Sequence, residues 1–92
     1  MDDSPPETRP EIERNFGPQP LDTLMQQLGL DNHALVEASP EPLTHKAVQR
    51  ARKGRRLTPH MRQRIATALH RAAAAKDAAP ERPWFPREIF NY

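Results

Sequence analysis

Apolar residues in this chain fall at helical rather than strand spacing. Leu21, Leu24, Met25 and Leu28 sit at i, i+3, i+4 and i+7, which puts all four on one face of a short helix, and Gly29 follows as a left-handed stop. Asp31 predicts the N-cap of a second short helix in which Ala34, Leu35 and Ala38 face inward. Ser39-Pro40-Glu41-Pro42 ends that helix, because proline disfavours helical backbone in the residue before it. Thr44 caps a third helix that runs through Val48 and Ala51 to Gly54. Thr58-Pro59, a preferred cap followed by a preferred first-turn residue, opens a fourth. Its stripe is Met61, Ile65, Ala68, Leu69 and Ala72, at i, i+4, i+7, i+8 and i+11. Alanines 72 to 75 extend it by propensity rather than burial, and Lys76 sits near its negative end. No alternation of β-branched or aromatic residues marks a strand. The pattern predicts an all-α fold, a small bundle of four to five helices.

The flanks read differently. Five of the eleven prolines lie in the first twenty residues, among acids, and after the start methionine only Ile12 and Phe16 are sizeable apolar groups before the helical pattern begins. Such a stretch buries too little to offset its ordering entropy, so residues 1–17 are expected to form a disordered acidic, Pro-rich arm. Residues 18–76 then make the helical domain, and residues 77–92 a tail. That tail concentrates Trp84, Phe85, Phe90 and Tyr92, four of the five aromatics of the chain. Pro86 can open a last helical turn that lays Ile89 and Phe90 on the bundle. Packing on the chain's own core is the favoured account of these rings; a contact to a second copy or another protein is the alternative.

Charge changes the picture further. Residues 1–41 carry nine acids and two bases, residues 42–76 carry ten bases and no acid, and residues 77–92 carry three acids and two bases, so the net +2 is −7 + 10 − 1. The acid-free block holds Lys46, Arg50, Arg52, Lys53, Arg55, Arg56, Arg62, Arg64, Arg71 and Lys76. A surface of one sign calls for a polyanionic partner, nucleic acid first. A solvated helix face normally alternates signs and gains from i,i+4 pairs, whereas this one repels itself.

Residues 44 to 69, THKAVQRARKGRRLTPHMRQRIATAL, place a capped helix, a glycine stop, two arginines and a proline-started helix in order. Together with the two preceding helices, the stretch from Leu21 to Leu69 resembles the lambda-repressor-like (Cro-like, XRE) helix-turn-helix family. The resemblance covers about half the chain. It implies double-stranded DNA as partner, the third helix as recognition helix, and regulation of transcription as role. One departure stands out: the turn over residues 38–43 is longer than the family's tight turn and carries two prolines. The angle between the second and third helices depends on it.

In that docking mode the start of the recognition helix reaches base edges. Periodicity turns Ala47, Val48 and Ala51 inward, which leaves His45, Lys46, Gln49 and Arg50 as candidate base contacts, with Gln49 suited to adenine and Lys46 to guanine. Arg52, Lys53, Arg55 and Arg56, at the far end of the helix and in the loop after it, are candidate phosphate contacts, as is Thr44 beyond its capping role. A single module buries little surface, so a dimer or larger complex is expected, with the aromatic tail as its candidate contact.

Other classes are disfavoured. Four histidines, His33, His45, His60 and His70, show no i,i+4 pairing and there is no cysteine, so neither a metal site nor a disulfide is expected. Three glycines supply no phosphate-binding loop, and no nucleophile elbow or paired carboxylate falls on an element expected to be ordered, so neither catalysis nor a cofactor is expected. A mean hydropathy of −0.89 and an acidic start without an apolar run argue for a cytoplasmic protein without a membrane span. Three further readings remain beside sequence-specific DNA binding: a sequence-independent DNA or RNA binder using the same charges, an adaptor that works through its aromatic tail, and a basic bundle with no nucleic-acid role.

Overall fold

Gly29 and Gly54 each end a helix with φ in the left-handed region, 69° and 87°, where a side chain would strain the backbone. At Gly54 space is limiting as well. A Cβ there would lie 1.8 Å from the Gly17 carbonyl oxygen, so only glycine lets the chain before the first helix pass. These observations come from a computed structural model that describes residues 16–92. The acidic arm expected over residues 1–17 lies outside the described residues except at Phe16 and Gly17. Those two pack on the domain: the Phe16 amide donates to the Gly54 carbonyl at 2.8 Å, and the Phe16 ring stacks on Tyr92 with centroids 4.3 Å apart.

The described residues form five helices and no strand: α1 (Pro20–Leu28), α2 (Asn32–Ala38), α3 (His45–Lys53), α4 (Pro59–Ala75) and α5 (Pro86–Ile89). The expected caps are in place. Asp31, Thr44 and Thr58 accept from the amides of Ala34, Ala47 and Met61 at 2.9, 3.0 and 3.1 Å. Each satisfies one of the amides a helix start leaves without a partner, at about 1 kcal/mol. The stop of α4 had no sequence signal: Asp77 takes φ 59°, a conformation aspartate tolerates, and the amides of Asp77 and Ala78 return to Ala74 and Ala73.

Helix α2 is central, packed on both α4 and α3, while α1 packs on α3 and α5, and α5 on α4. The core between them is Leu21, Met25, Leu35, Val48, Ala51, Ile65, Ala66, Ala68, Leu69, Ala73 and Ile89, all fully buried. Ala73 corrects the expectation that alanines 72 to 75 extend α4 without burial. Ala72 and Ala73 are inside and Ala74 and Ala75 outside, because α4 is covered on two sides and small residues let its neighbours approach.

Despite its two prolines, the turn over residues 38–43 leaves α2 and α3 packed on one another. Leu43 is buried, and Arg64 of α4 clamps the turn by bonding the Pro42 carbonyl at 2.9 Å and the Glu41 carboxylate at 3.0 Å. Arg64 thus has a structural role.

The tail closes the bundle. Ile89 and Phe90 are buried, and Trp84 and Tyr92 are partly buried against the core, which is the packing account of the aromatics. Phe85 is the exposed ring, 42% accessible, flanked by the guanidiniums of Arg82 and Arg87. Gln19, buried at the start of α1, ties the two ends of the domain together: its amide nitrogen donates to the Gly17 carbonyl at 2.8 Å and its oxygen accepts from the Asn91 amide at 2.7 Å. A buried polar side chain with both ends satisfied specifies a partner without loss of stability.

Candidate nucleic-acid interface

Thr44 and Gly54 delimit α3, a helix with two unlike faces. Val48 and Ala51 are fully buried and Ala47 half-buried; His45, Lys46, Gln49, Arg50 and Lys53 are exposed. The exposed face continues through Arg55 and Arg56 in the loop that follows. Lys46, Arg50, Lys53, Arg55 and Arg56 have no carboxylate within ion-pair distance among the described residues. Part of their placement has a structural return, since cations in the last turn of a helix complement its dipole. That account covers Arg50 and Lys53. It does not extend to Lys46 at the other end of the helix, nor to Arg55 and Arg56 outside it.

Arg52 requires a correction. Expected among the phosphate contacts, it is turned to the opposite side, where its Nε lies 2.6 Å from the Asp22 carboxylate of α1 and its Nη1 donates to the Asn32 side chain at 2.8 Å. On a helix, position 52 follows directly on the buried Ala51, so its side chain leaves toward α1. The acid and amide it meets there engage its Nε and one Nη.

Two of the four candidate base contacts are engaged with α2. Gln49 accepts from the Asn32 amide nitrogen at 3.0 Å. His45 Nε2 lies 3.3 Å from His33 Nδ1, with the ring planes inclined by 8° and the centroids 5.5 Å apart. The centroid separation equals the N···N distance plus about one ring radius at each end, so the rings meet edge to edge in one plane. That is an N–H···N hydrogen bond rather than face-to-face stacking. The Glu37 carboxylate, 3.7 Å from His33 Nε2, lies on the far side of the same ring. Lys46 and Arg50 carry no such tie among the described residues, while Thr44 spends its oxygen on the cap.

The loop after α3 is held from the tail. The Tyr92 hydroxyl accepts from the Leu57 amide and donates to the Arg55 carbonyl, both at 3.0 Å. Burial holds this hydroxyl above its ordinary pKa of 10, against the opposing Leu57 amide and the Arg62 and Arg56 charges, so it keeps the proton it donates. Arg62 lies over the Tyr92 ring, 4.8 Å from its centroid, and bonds the Tyr92 main-chain oxygen at 2.8 Å. The sequence offered no sign that the last aromatic shapes the basic loop 35 residues earlier.

Lys76, expected to complement the end of its own helix, instead donates to the Gly29 carbonyl at the end of α1. Arg71, on α4, forms no ion pair among the described residues. The described residues contain no group of three or more histidines and carboxylates able to hold a metal ion, and no helix long and apolar enough to cross a membrane. No protein-family model, curated protein or solved structure matches this chain.

Proposed function

We propose that this protein binds double-stranded DNA through a helix-turn-helix formed by α2 and α3, with α3 entering the major groove, and that it regulates transcription. The observation that carries the reading is the run of cations from Lys46 through Arg50 and Lys53 to Arg55 and Arg56 along one helix and its loop, without a carboxylate partner among the described residues. Like charges so arranged repel one another, and a polyanion relieves that repulsion. Lys46 and Arg50 read base edges, joined by Gln49 and His45 when these exchange Asn32 and His33 for a base. Lys53, Arg55, Arg56 and Thr44 hold phosphates. Binding as a dimer on a two-fold site follows from the small surface of one module, and Phe85 is the tail ring left exposed for such a contact.

A second reading, sequence-independent binding of nucleic acid, is favoured by one observation: Gln49 and His45 already have protein partners, which leaves a larger share of the contact to phosphates. Selection of bound fragments from a random duplex library at two salt concentrations separates the two. An enriched palindrome at both salts is the expected result, and recovery of unrelated sequences with a steep salt slope refutes sequence specificity.

A further inference from the structure

A cleft of about 490 Å³ opens between the end of α3 and the start of α4, lined by Arg50, Arg56, Leu57, Thr58, Pro59 and Arg62. Among the described residues it presents three guanidiniums and no carboxylate side chain. Arg50 and Arg56 are exposed and unpaired among the described residues. Glu41, the acid nearest in sequence, is taken by Arg64 and His60. Arg62 is fixed over the Tyr92 ring, and its Nε–H is buried without an acceptor among the described residues. Its guanidinium therefore stands as an immobilised cation in the wall of the cleft, ready to donate to an oxyanion there.

The backbone adds to this charge. The 17-residue α4 begins here without an acid in its own first turn, so the positive end of its dipole adds to the field of the cleft. Thr58 occupies the amides of Met61 and Arg62, and Pro59 has none, which leaves the His60 amide as the open donor of that turn. Tyr92 positions the ensemble, because its hydroxyl bonds the residues on either side of Arg56 and its ring carries Arg62.

We infer that this cleft binds a phosphate group, with Arg62 as the fixed donor and Arg56 closing on the anion from the exposed side, while Arg50 at the rim adds its charge and keeps its place toward the base edges. The inference deepens the duplex-binding reading and rests on it for the source of the phosphate, a backbone phosphodiester. A free phosphorylated small molecule offers the same chemistry.

Titration of the isotope-labelled full chain with inorganic phosphate, at constant ionic strength made up with chloride, reads the site directly. Saturable NMR shifts at the His60 amide and the Arg62 Nε–H are expected, with an affinity at least about tenfold lower in Arg56→Gln. Because Arg56 is exposed, this variant keeps its fold, which the unchanged remainder of the spectrum verifies. In a second arm, Arg56→Gln weakens unrelated duplexes alike and reduces the salt slope of binding by about 1. Linear shifts spread over all surface cations overturn the cleft as a site, even where duplex binding persists and the DNA reading stands. Saturable phosphate binding with no response of duplex affinity to Arg56→Gln upholds the site and overturns the duplex as its source.

Discussion

Arg52 and Asp22 form an ion pair between α3 and α1, with Arg52 Nε 2.6 Å from the carboxylate and each side chain only about a quarter exposed, 22% and 26%. This pair separates the basic helix into residues that hold the fold and residues free for a ligand. Arg52→Gln should lower stability by about 1 to 2 kcal/mol in urea denaturation, since Asn32 loses this donor and Asp22 keeps only the Gln26 amide as a side-chain donor among the described residues. The salt slope of duplex binding should stay unchanged. Lys53→Gln should do the opposite, reducing that slope by about 1 while stability moves by less than about 1 kcal/mol. A reduced slope in Arg52→Gln would return Arg52 to the phosphate contacts.

Base reading and phosphate holding differ in what a substitution does to specificity. Lys46→Ala and Gln49→Ala should each reduce discrimination between the selected site and an unrelated duplex, by roughly 1 to 3 kcal/mol for a bidentate contact. Arg55→Ala should weaken every sequence alike. Gln49 carries an extra consequence: its loss also frees the Asn32 side chain that Arg52 shares, so a small loss of stability accompanies it. Competition binding at fixed salt measures all three, and silence of both Lys46→Ala and Arg55→Ala rules out groove docking by α3.

Gly54 joins the end of α3 to the start of the domain, and its replacement tests that junction. Gly54→Ala places a Cβ 1.8 Å from the Gly17 carbonyl oxygen, in backbone with φ 87°. Strain of the left-handed residue and displacement of residues 16 and 17 add, so a loss of more than about 2 kcal/mol is expected in thermal denaturation. Gly29→Ala is the milder control, because there the near atom is Lys76 Nζ, the movable end of a side chain, at 3.0 Å.

Local signals account for what the sequence disclosed. Asp31, Thr44 and Thr58 cap the next turn, Gly29 and Gly54 stop their own helices, and the apolar stripes of α1 and α4 repeat at helical spacing, so each element was legible within a few residues. The exposed face of α3 was legible for the same reason. Pairings across the chain were not. Nothing near Arg52 announces Asp22, 30 residues earlier; nothing near Gln19 announces Asn91, 72 residues later. The side chains that shape the cleft, Tyr92 and Arg62, meet only after the bundle closes, and no local pattern encodes that meeting.

Tyr92→Phe removes the hydroxyl while keeping the ring under Arg62 and against Phe16. The Leu57 amide and the Arg55 carbonyl then lose their partner, at a cost of about 1 kcal/mol in denaturant unfolding. Freed on both sides, the loop bearing Arg55 and Arg56 should show faster amide hydrogen exchange at Leu57, with the core of α4 unchanged. Duplex affinity should fall with specificity retained. Unaltered exchange at Leu57 would show that the loop holds itself without the tail.

The last turn of the tail carries the acid-sensitive contact of the domain. Arg82 binds Glu88 through two hydrogen bonds, 3.1 and 2.8 Å, and the Phe85 amide donates to the same carboxylate at 2.7 Å. The hydrogen bonds from Arg82 and then from Phe85 lower the Glu88 pKa from its ordinary 4.5 to about 2. A carboxyl with a depressed folded-state pKa binds more protons when unfolded, so its contribution is fully present above pH 4.5 and is lost as pH falls through about 2. Glu88 lies at the surface, so this contribution is screened and should shrink further in high salt. Glu88→Gln should therefore flatten the acid limb of the stability curve between pH 4.5 and 2 while leaving stability at pH 2 and below close to that of the parent. Denaturation midpoints across that range read the effect, and parallel acid limbs in parent and variant would exclude Glu88 as the group responsible.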